Sequence, residues 1–170
     1  MNLILRYPRL EDKEKYLLYL EEWEDKDKII PYSSRLLGRT YETFVEELIP
    51  REKGLINPDK LVPEIIHILV DEEGNIYGAL SFRLKLNEHL LAFDGHIGYG
   101  IAPSKRGQGY GKLILKLALD CARSKGFKKV LLTCNEENKR SERVILSQGG
   151  ILENKVYKTD GYIMRYWINL

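Results

Sequence analysis

Three glycines at alternate positions, Gly107, Gly109 and Gly111, lie in the run Arg106-Gly107-Gln108-Gly109-Tyr110-Gly111, with Lys105 beside it and Lys112 after it. An apolar stretch precedes the run, and an amphipathic one follows from about Gly109 to Lys125. The run therefore reads as a turn between a strand and a helix. Glycine permits a tight turn and close approach of a ligand to the amides. The first amides of a helix have no internal partner, and the helix dipole favours an anion there. With Arg106 and Lys105 adding positive charge, the turn is suited to a phosphate or pyrophosphate.

Two common phosphate loops fail at named positions. A Walker A loop needs Ser or Thr after Gly-Lys, and Leu113 follows Gly111-Lys112; a glycine is also needed where Arg106 stands. The dinucleotide pattern Gly-x-Gly-x-x-Gly would begin at Gly107 and end on Lys112. The pattern that fits is Arg-x-x-Gly-x-Gly, read on Arg106, Gly109 and Gly111. Together with Gly98-Tyr99-Gly100-Ile101-Ala102-Pro103 before it, the segment resembles the acetyl-coenzyme A motif of the GCN5-related N-acetyltransferase (GNAT) superfamily. A second match is Asn138-Lys139-Arg140-Ser141, similar to the Asn-x-x-Ser/Ala that opens a later helix in that superfamily. The runs Leu132 to Asn135 and Gly149 to Asn154 resemble a bacterial branch of predicted acetyltransferases.

The resemblance implies transfer of an acetyl group from acetyl-coenzyme A to an amine of a small molecule or protein, with no metal. It implies pyrophosphate contacts from Arg106, Gly107, Gln108, Gly109, Tyr110, Gly111 and Lys112. Pantetheine contacts fall to Gly100, Ile101 and Ala102 on a splayed strand, and to Asn138 and Ser141. Many members of the superfamily keep a tyrosine acid seven residues after the Asn; here that position is Ile145. The departure leaves a second reading open, a non-catalytic acyl-coenzyme A-binding module on the same fold.

Direct transfer needs a group to accept the amine proton and one to protonate the departing thiolate. His96, with Asp94 nearby, is a candidate base, since by alternation it shares a face with Gly98 and Gly100. Glu64 and His67 are further candidates on an inner strand. Tyr99, on the cofactor strand, and Tyr157, on the last hairpin with Tyr162 and Tyr166, are candidate acids. Cys134 reads as a core thiol, not a nucleophile.

The elements that must hold these groups follow from periodicity. Leu3 to Arg6 is a strand, and a helix capped by Asp12 runs to about Asp27. A helix from Thr40 to Ile49 stops at Pro50. Strands follow at Glu64 to Val70, at Ile76 to Leu86, and from near His89 to Ile101. After the helix at 109–125, Val130 to Cys134 is a strand expected to pair in parallel with its predecessor. A helix spans about Asn138 to Gln148, and a hairpin turns at Lys158 to Gly161. The order is β-α-α-β-β-β-α-β-α-β-β. The expected class is α/β (α+β mixed): a mixed, mostly antiparallel sheet of six to seven strands with helices on both faces, formed as a single domain, 1–170.

The chain has 170 residues, 44% hydrophobic and 31% charged, with net charge +2 and two cysteines. That fits a folded domain with a real core and no disulfide framework. The apolar runs are too short for a membrane helix and the start lacks the form of a signal peptide, so a cytoplasmic protein is expected. Residues 11–27 hold eight acids and three bases, and 104–143 hold eleven bases and four acids. The basic half suits a phosphorylated small molecule, and no nucleic-acid motif accompanies it. The acidic helix and segments 28–40 and 51–63 are expected on the acceptor side, where acids would favour a cationic amine. A free sheet edge leaves room for a homodimer.

Overall fold

The computed structural model describes residues 2–170. Its elements are β1 (Ile4–Arg6), α1 (Lys13–Glu21), α2 (Tyr41–Glu52), β2 (Glu64–Val70), β3 (Ile76–Arg83), β4 (Ile97–Ile101), α3 (Tyr110–Ser124), β5 (Lys129–Asn135), α4 (Lys139–Ser147), β6 (Ile151–Lys158) and β7 (Gly161–Asn169). This is the expected order. The seven strands form two antiparallel sheets, β1-β2-β3-β4 and β5-β7-β6.

The parallel pairing expected between β4 and β5 does not form a ladder. The two strands meet at a single bridge, Gly95 with Leu132. There His96 N–H donates to Leu131 O at 2.7 Å. Beyond this seam the strands diverge, and each keeps a free edge. The two sheets are instead held together through side chains. One core cluster joins Ile65, Leu69, Leu80 and Phe82 of the first sheet to Val130, Leu132, Met164, Tyr166 and Ile168 of the second, beneath Ile114, Leu115, Ala118, Leu119 and Ala122 of α3. The other face of β2 and β3 packs Ile66, Ile68, Val70 and Ala79 against Tyr16, Tyr19, Tyr41, Phe44 and Leu48 of α1 and α2. Covering on both faces is why β2 reads as a nearly continuous apolar run.

Several boundaries shift for local reasons. Asp12 does not cap α1; its carboxylate receives both Nη groups of Arg6, at 2.7 and 2.8 Å, and the Arg9 amide. α1 stops at Glu21 because Lys26 Nζ reaches back to Leu20 O and Asp25 starts a separate 3-10 turn by accepting from Asp27 N–H. α2 runs past Pro50 to Glu52, whose carboxylate binds the Tyr7 hydroxyl and Lys125. The run Leu90 to Asp94, expected as strand, is a π-helical turn started by Asn87, whose side chain accepts from Leu90 N–H. It lies over the second sheet, where Arg165 donates to Leu91 O and Thr133 Oγ1 to Phe93 O.

Gly100 is required by the chain's own packing: a Cβ on it would collide with the backbone oxygen of Ile30, so the glycine admits that loop at close range. That contact holds Pro31 and Tyr32 over the end of the sheet. Gly100→Ala is expected to destabilise the fold by about 1–3 kcal/mol through overpacking, read as a lowered unfolding midpoint in urea.

Candidate active site

A cleft of about 850 Å³ opens where β4 and β5 diverge. Gly98 and Tyr99 form one wall, and Leu132, Thr133, Cys134 and Asn135 the other. The opening of α4, with Asn138 and Ser141, lies at one end. Pro31, Tyr32, Phe93 and Asp94 meet Tyr157 to Ile163 of the last hairpin at the other.

The glycine turn lies at the N-terminus of α3. Gly107 and Gly109 have φ of +75° and +88°, and a Cβ on either would meet nothing within 4 Å. The glycines are therefore required by backbone conformation, and the space over them is open. The first helical bonds are donated by Lys112 and Leu113 to Gly109 O. The amides of Gly107, Gln108, Gly109, Tyr110 and Gly111 have no backbone acceptor among the described residues. A row of free amides beside open space, at a helix start, fits a pyrophosphate. Arg106 is partly committed: its Nε donates to Ile101 O at 3.2 Å and its guanidinium lies 4.7 Å from the Trp23 ring centre. Gln108 Nε2 donates to Ser104 O, and Lys105 Nζ lies over the Tyr77 ring. Lys112 is exposed.

The register of β4 divides the expected pantetheine contacts. Ala102 N–H donates to Tyr77 O. Gly100 pairs with Ala79, and by alternation its backbone groups also face β3. The residues between, Tyr99 and Ile101, turn their backbone groups to the free edge. Gly100 and Ala102 thus have their amides engaged in the sheet, whereas Tyr99 and Ile101 present theirs at the free edge.

Of the candidate acids and bases, Tyr99, Tyr157, Tyr162 and Asp94 line the cleft, and Tyr99 is the one on β4. Its hydroxyl is buried and has no hydrogen-bond partner in good geometry. Burial raises the phenol pKa, and the adjacent Ser141 side chain offsets part of that rise. Ile145, at the family's usual acid position, is buried in the core and offers no acid. Tyr157 is exposed at the rim, edge-on to Tyr162, and its hydroxyl donates to Thr159 O. Tyr166 is buried beneath α4, donating to Glu142. Burial pushes the Cys134 thiol up to about 11, which keeps it protonated and unreactive.

His96 does not line the cleft. It precedes β4, and its Nδ1 accepts from Leu131 N–H at 2.9 Å while its ring packs edge-on against Phe127. Gly98 and Gly100 face Pro31 and Ile30, so the shared face expected from alternation is absent. His96 sits in a bend before β4, its N–H bonded to Leu131 O on one side and its carbonyl to Arg83 N–H on the other, and so falls outside the alternation of the strand. His67 also lies elsewhere, edge-on to Tyr7, with both ring nitrogens buried and unpartnered. Glu64 is buried as the acceptor of Ser33, Ser81 and Arg51, and ties the 32–34 turn to the sheet.

Burial lowers both His67 and His96 to a pKa of about 4. The unfolded chain takes up those protons below about pH 6.5 and the folded chain only near pH 4. Stability is therefore full above about pH 6.5 and falls as the pH drops toward 4. The expected loss is roughly 1–3 kcal/mol, allowing for the partial exposure of His96. Urea unfolding at pH 7.5 and pH 5 tests this, and His67→Phe should remove part of the difference.

The acids expected on the acceptor side come from other elements. No residue of 11–27 or 51–63 lines the cleft, whereas Asp94, Glu136, Glu137 and Asp160 do. Glu22, just past the end of α1, instead accepts from Ser104 before the glycine turn. Among the described residues no group of three His, Cys, Asp or Glu side chains is placed to hold a metal. No helix of the described residues is long and apolar enough to cross a membrane.

Residues 2–150 match the family model described as an acetyltransferase (GNAT) domain. No curated protein matches the chain by sequence. Among solved structures, the ribosomal-protein-S5-alanine acetyltransferase from Vibrio fischeri superposes with a TM-score of 0.70 at 16% identity, covering 99% of this chain and 93% of that one. The microcin C7 self-immunity acetyltransferase, solved with acetyl-CoA and AMP, has a TM-score of 0.70 at 20% identity, covering 99% and 92%. Mutant forms of the spermidine/spermine N-acetyltransferase from Vibrio cholerae give 0.62 at 16%, covering 99% and 95%. At these identities the likeness is one of fold.

Proposed function

The chain belongs to the GNAT acetyltransferase family, and from that premise we propose a specific division of labour for its transfer of acetyl from acetyl-coenzyme A to an amine. Acetyl-coenzyme A supplies the activated thioester. The amides of Gly107 to Gly111, with Arg106 and Lys112, hold the pyrophosphate. The free edge of β4 at Tyr99 and Ile101 pairs with the pantetheine arm, and Asn138 and Ser141 border it from α4. The Asn138 side-chain oxygen already caps α4 by accepting from Ser141 N–H at 3.1 Å, so its NH₂ group remains for the ligand.

Tyr99 is the acid in this reading. A buried phenol whose pKa is raised by burial keeps its proton until a thiolate forms beside it, then donates it. The proton lost from the attacking nitrogen restores the phenol. No covalent enzyme intermediate is needed, in keeping with the raised pKa of Cys134. The whole chain acts as one domain in the cytoplasm, with acetyl-coenzyme A and an amine as its partners and neither nucleic acid nor membrane involved.

The observation that carries this reading is the row of unpartnered amides at 107–111, continuous with the free edge of β4. The test is release of free thiol from acetyl-coenzyme A across a panel of primary amines, with cofactor binding measured separately by calorimetry. Tight binding with no turnover for any amine would sink the catalytic part.

A further inference from the structure

Two residues at the end of α1 hold the turn that carries the glycines. The Arg106 guanidinium lies over the Trp23 ring, 4.7 Å from its centre. Arg106 Nε donates to Ile101 O at 3.2 Å, where the free edge of β4 ends. Neither Nη group of Arg106 has an acceptor among the described residues, and the side chain is exposed. Trp23, just past the end of α1, is by contrast only 6% exposed. It packs edge-on to Tyr19, with ring centres 6.4 Å apart, in the core cluster that also contains Ala102. Its Nε1 is buried and makes no well-formed hydrogen bond, its polar neighbour being the Tyr19 hydroxyl. The residue before it, Glu22, accepts from the N–H and the hydroxyl of Ser104, at 3.2 and 2.8 Å. Ser104 O in turn accepts from the Gln108 side chain. The turn is thus tied to α1 at Ser104 and at Arg106.

A planar guanidinium stacked on a ring keeps its in-plane donors free, and those donors match phosphate oxygens in pairs. An arginine left loose on the surface loses rotamer freedom when it binds a ligand. One already held by a ring and by one donor has less to lose. The ring that holds Arg106 is itself fixed by buried neighbours, so the support is rigid. A buried indole whose N–H is poorly used carries a penalty that a phenylalanine would avoid. What the indole adds is the face of its ring, which attracts a cation more strongly than the ring of Phe or Tyr.

We propose that Trp23 is a positioning residue for the cofactor, holding the Arg106 guanidinium with both Nη groups free for the pyrophosphate. This rests on the reading of the turn at 106–112 as the pyrophosphate site and adds to it a support from α1. Loss of the ring then acts on cofactor affinity, and it acts through Arg106.

The experiment is calorimetry of coenzyme A on wild type, Trp23→Leu, Trp23→Phe, Arg106→Leu and the Trp23→Leu/Arg106→Leu double variant, each checked by thermal unfolding. Trp23→Leu is expected to raise Kd about two- to fivefold. Trp23→Phe, which keeps a ring face, should raise it less than about twofold. In the Arg106→Leu background, Trp23→Leu should add nothing, which a merely structural role would not produce. The same loss should appear with dephospho-coenzyme A, which lacks the 3′-phosphate and keeps the pyrophosphate. Arg106→Lys keeps the charge and leaves the core untouched, so it reads the same contact if Trp23→Leu does not fold. It should raise Kd at least about threefold, because an ammonium lacks the planar fork. Unchanged affinity in Trp23→Leu or in Arg106→Lys overturns the proposal. Losses that add in the double variant, or a loss seen with coenzyme A and absent with dephospho-coenzyme A, do the same. Unaltered affinity in Arg106→Leu overturns the pyrophosphate reading itself. A weakened Arg106→Leu beside an unaffected Trp23→Leu keeps that reading and removes only the support from α1.

Discussion

Tyr99→Phe is expected to lower kcat about 100-fold while the affinity for acetyl-coenzyme A stays within about twofold. The change removes one oxygen and no packing, since the ring packs against the shared core through its carbons. The hydroxyl is buried and makes no well-formed hydrogen bond within the protein, its polar neighbour being the Ser141 side chain, so little is lost from the fold. A phenol acting as acid contributes to the transition state and not to cofactor binding, so the loss belongs in kcat. Two controls sharpen the test. Tyr157→Phe, at the exposed rim, should change kcat little. The acidic limb of the rate against pH should be unchanged in Tyr99→Phe, and the alkaline limb should lose the fall that marks ionisation of a phenol with a raised pKa. A kcat for Tyr99→Phe within threefold of wild type, on the order of 0.7 kcal/mol or less, would assign the proton to water instead.

Gly109→Asp is expected to weaken coenzyme A binding at least about 100-fold without unfolding the protein. Gly109 is the N-cap of α3, in the left-handed region at φ +88°. Asp is among the few residues that tolerate that region, and its side chain suits an N-cap. The fold should therefore hold, with a thermal midpoint close to wild type. The carboxylate, however, enters the open space over Gly107 and Gly109 and turns an anion site into an anionic one. Calorimetry with coenzyme A, beside thermal unfolding of the same sample, separates the two effects. Affinity within tenfold of wild type would place the pyrophosphate elsewhere. Gly107→Ala, with no new charge, should show a smaller loss and serves as the conformational control.

Much of the fold is legible in the chain because its signals are local. The alternating glycines before the apolar stripe of α3, Gly126 after it, and the apolar run of β2 each follow from short-range rules. Gly126 takes φ +84°, and Phe127 N–H closes back on Ala122 O, as a helix end of this type requires. What was not legible depends on contacts between distant residues. Leu90 to Phe93 has the composition of a strand, and only Asn87 before it and the second sheet beneath it make it a π-helical turn. His96 has the spacing of a cleft residue, and the bend at His96 itself, bonded to Leu131 and Arg83, turns it away. Gly100 has the mark of a ligand approach, and the ligand turns out to be the chain's own Ile30. The carboxylates of the cleft were hidden for the same reason: Glu136 and Glu137 fall in a stretch whose net charge is positive, so their place on the cleft wall emerges only once β5 is laid beside the last hairpin.

The single bridge between Gly95 and Leu132 has a thermodynamic side. Two sheets that share a core but almost no backbone bonds leave Tyr99 and Ile101 with amides open to solvent exchange. A molecule lying along that edge would supply the bonds of a missing strand, and its affinity would appear as stability of the whole protein. At 100 times its dissociation constant the gain is about 2.7 kcal/mol. Slowed deuterium uptake should then be concentrated on β4, on the facing backbone of β5 and on the turn at 107–111, with little change in α1 and α2. The seam is thus where occupancy is converted into rigidity.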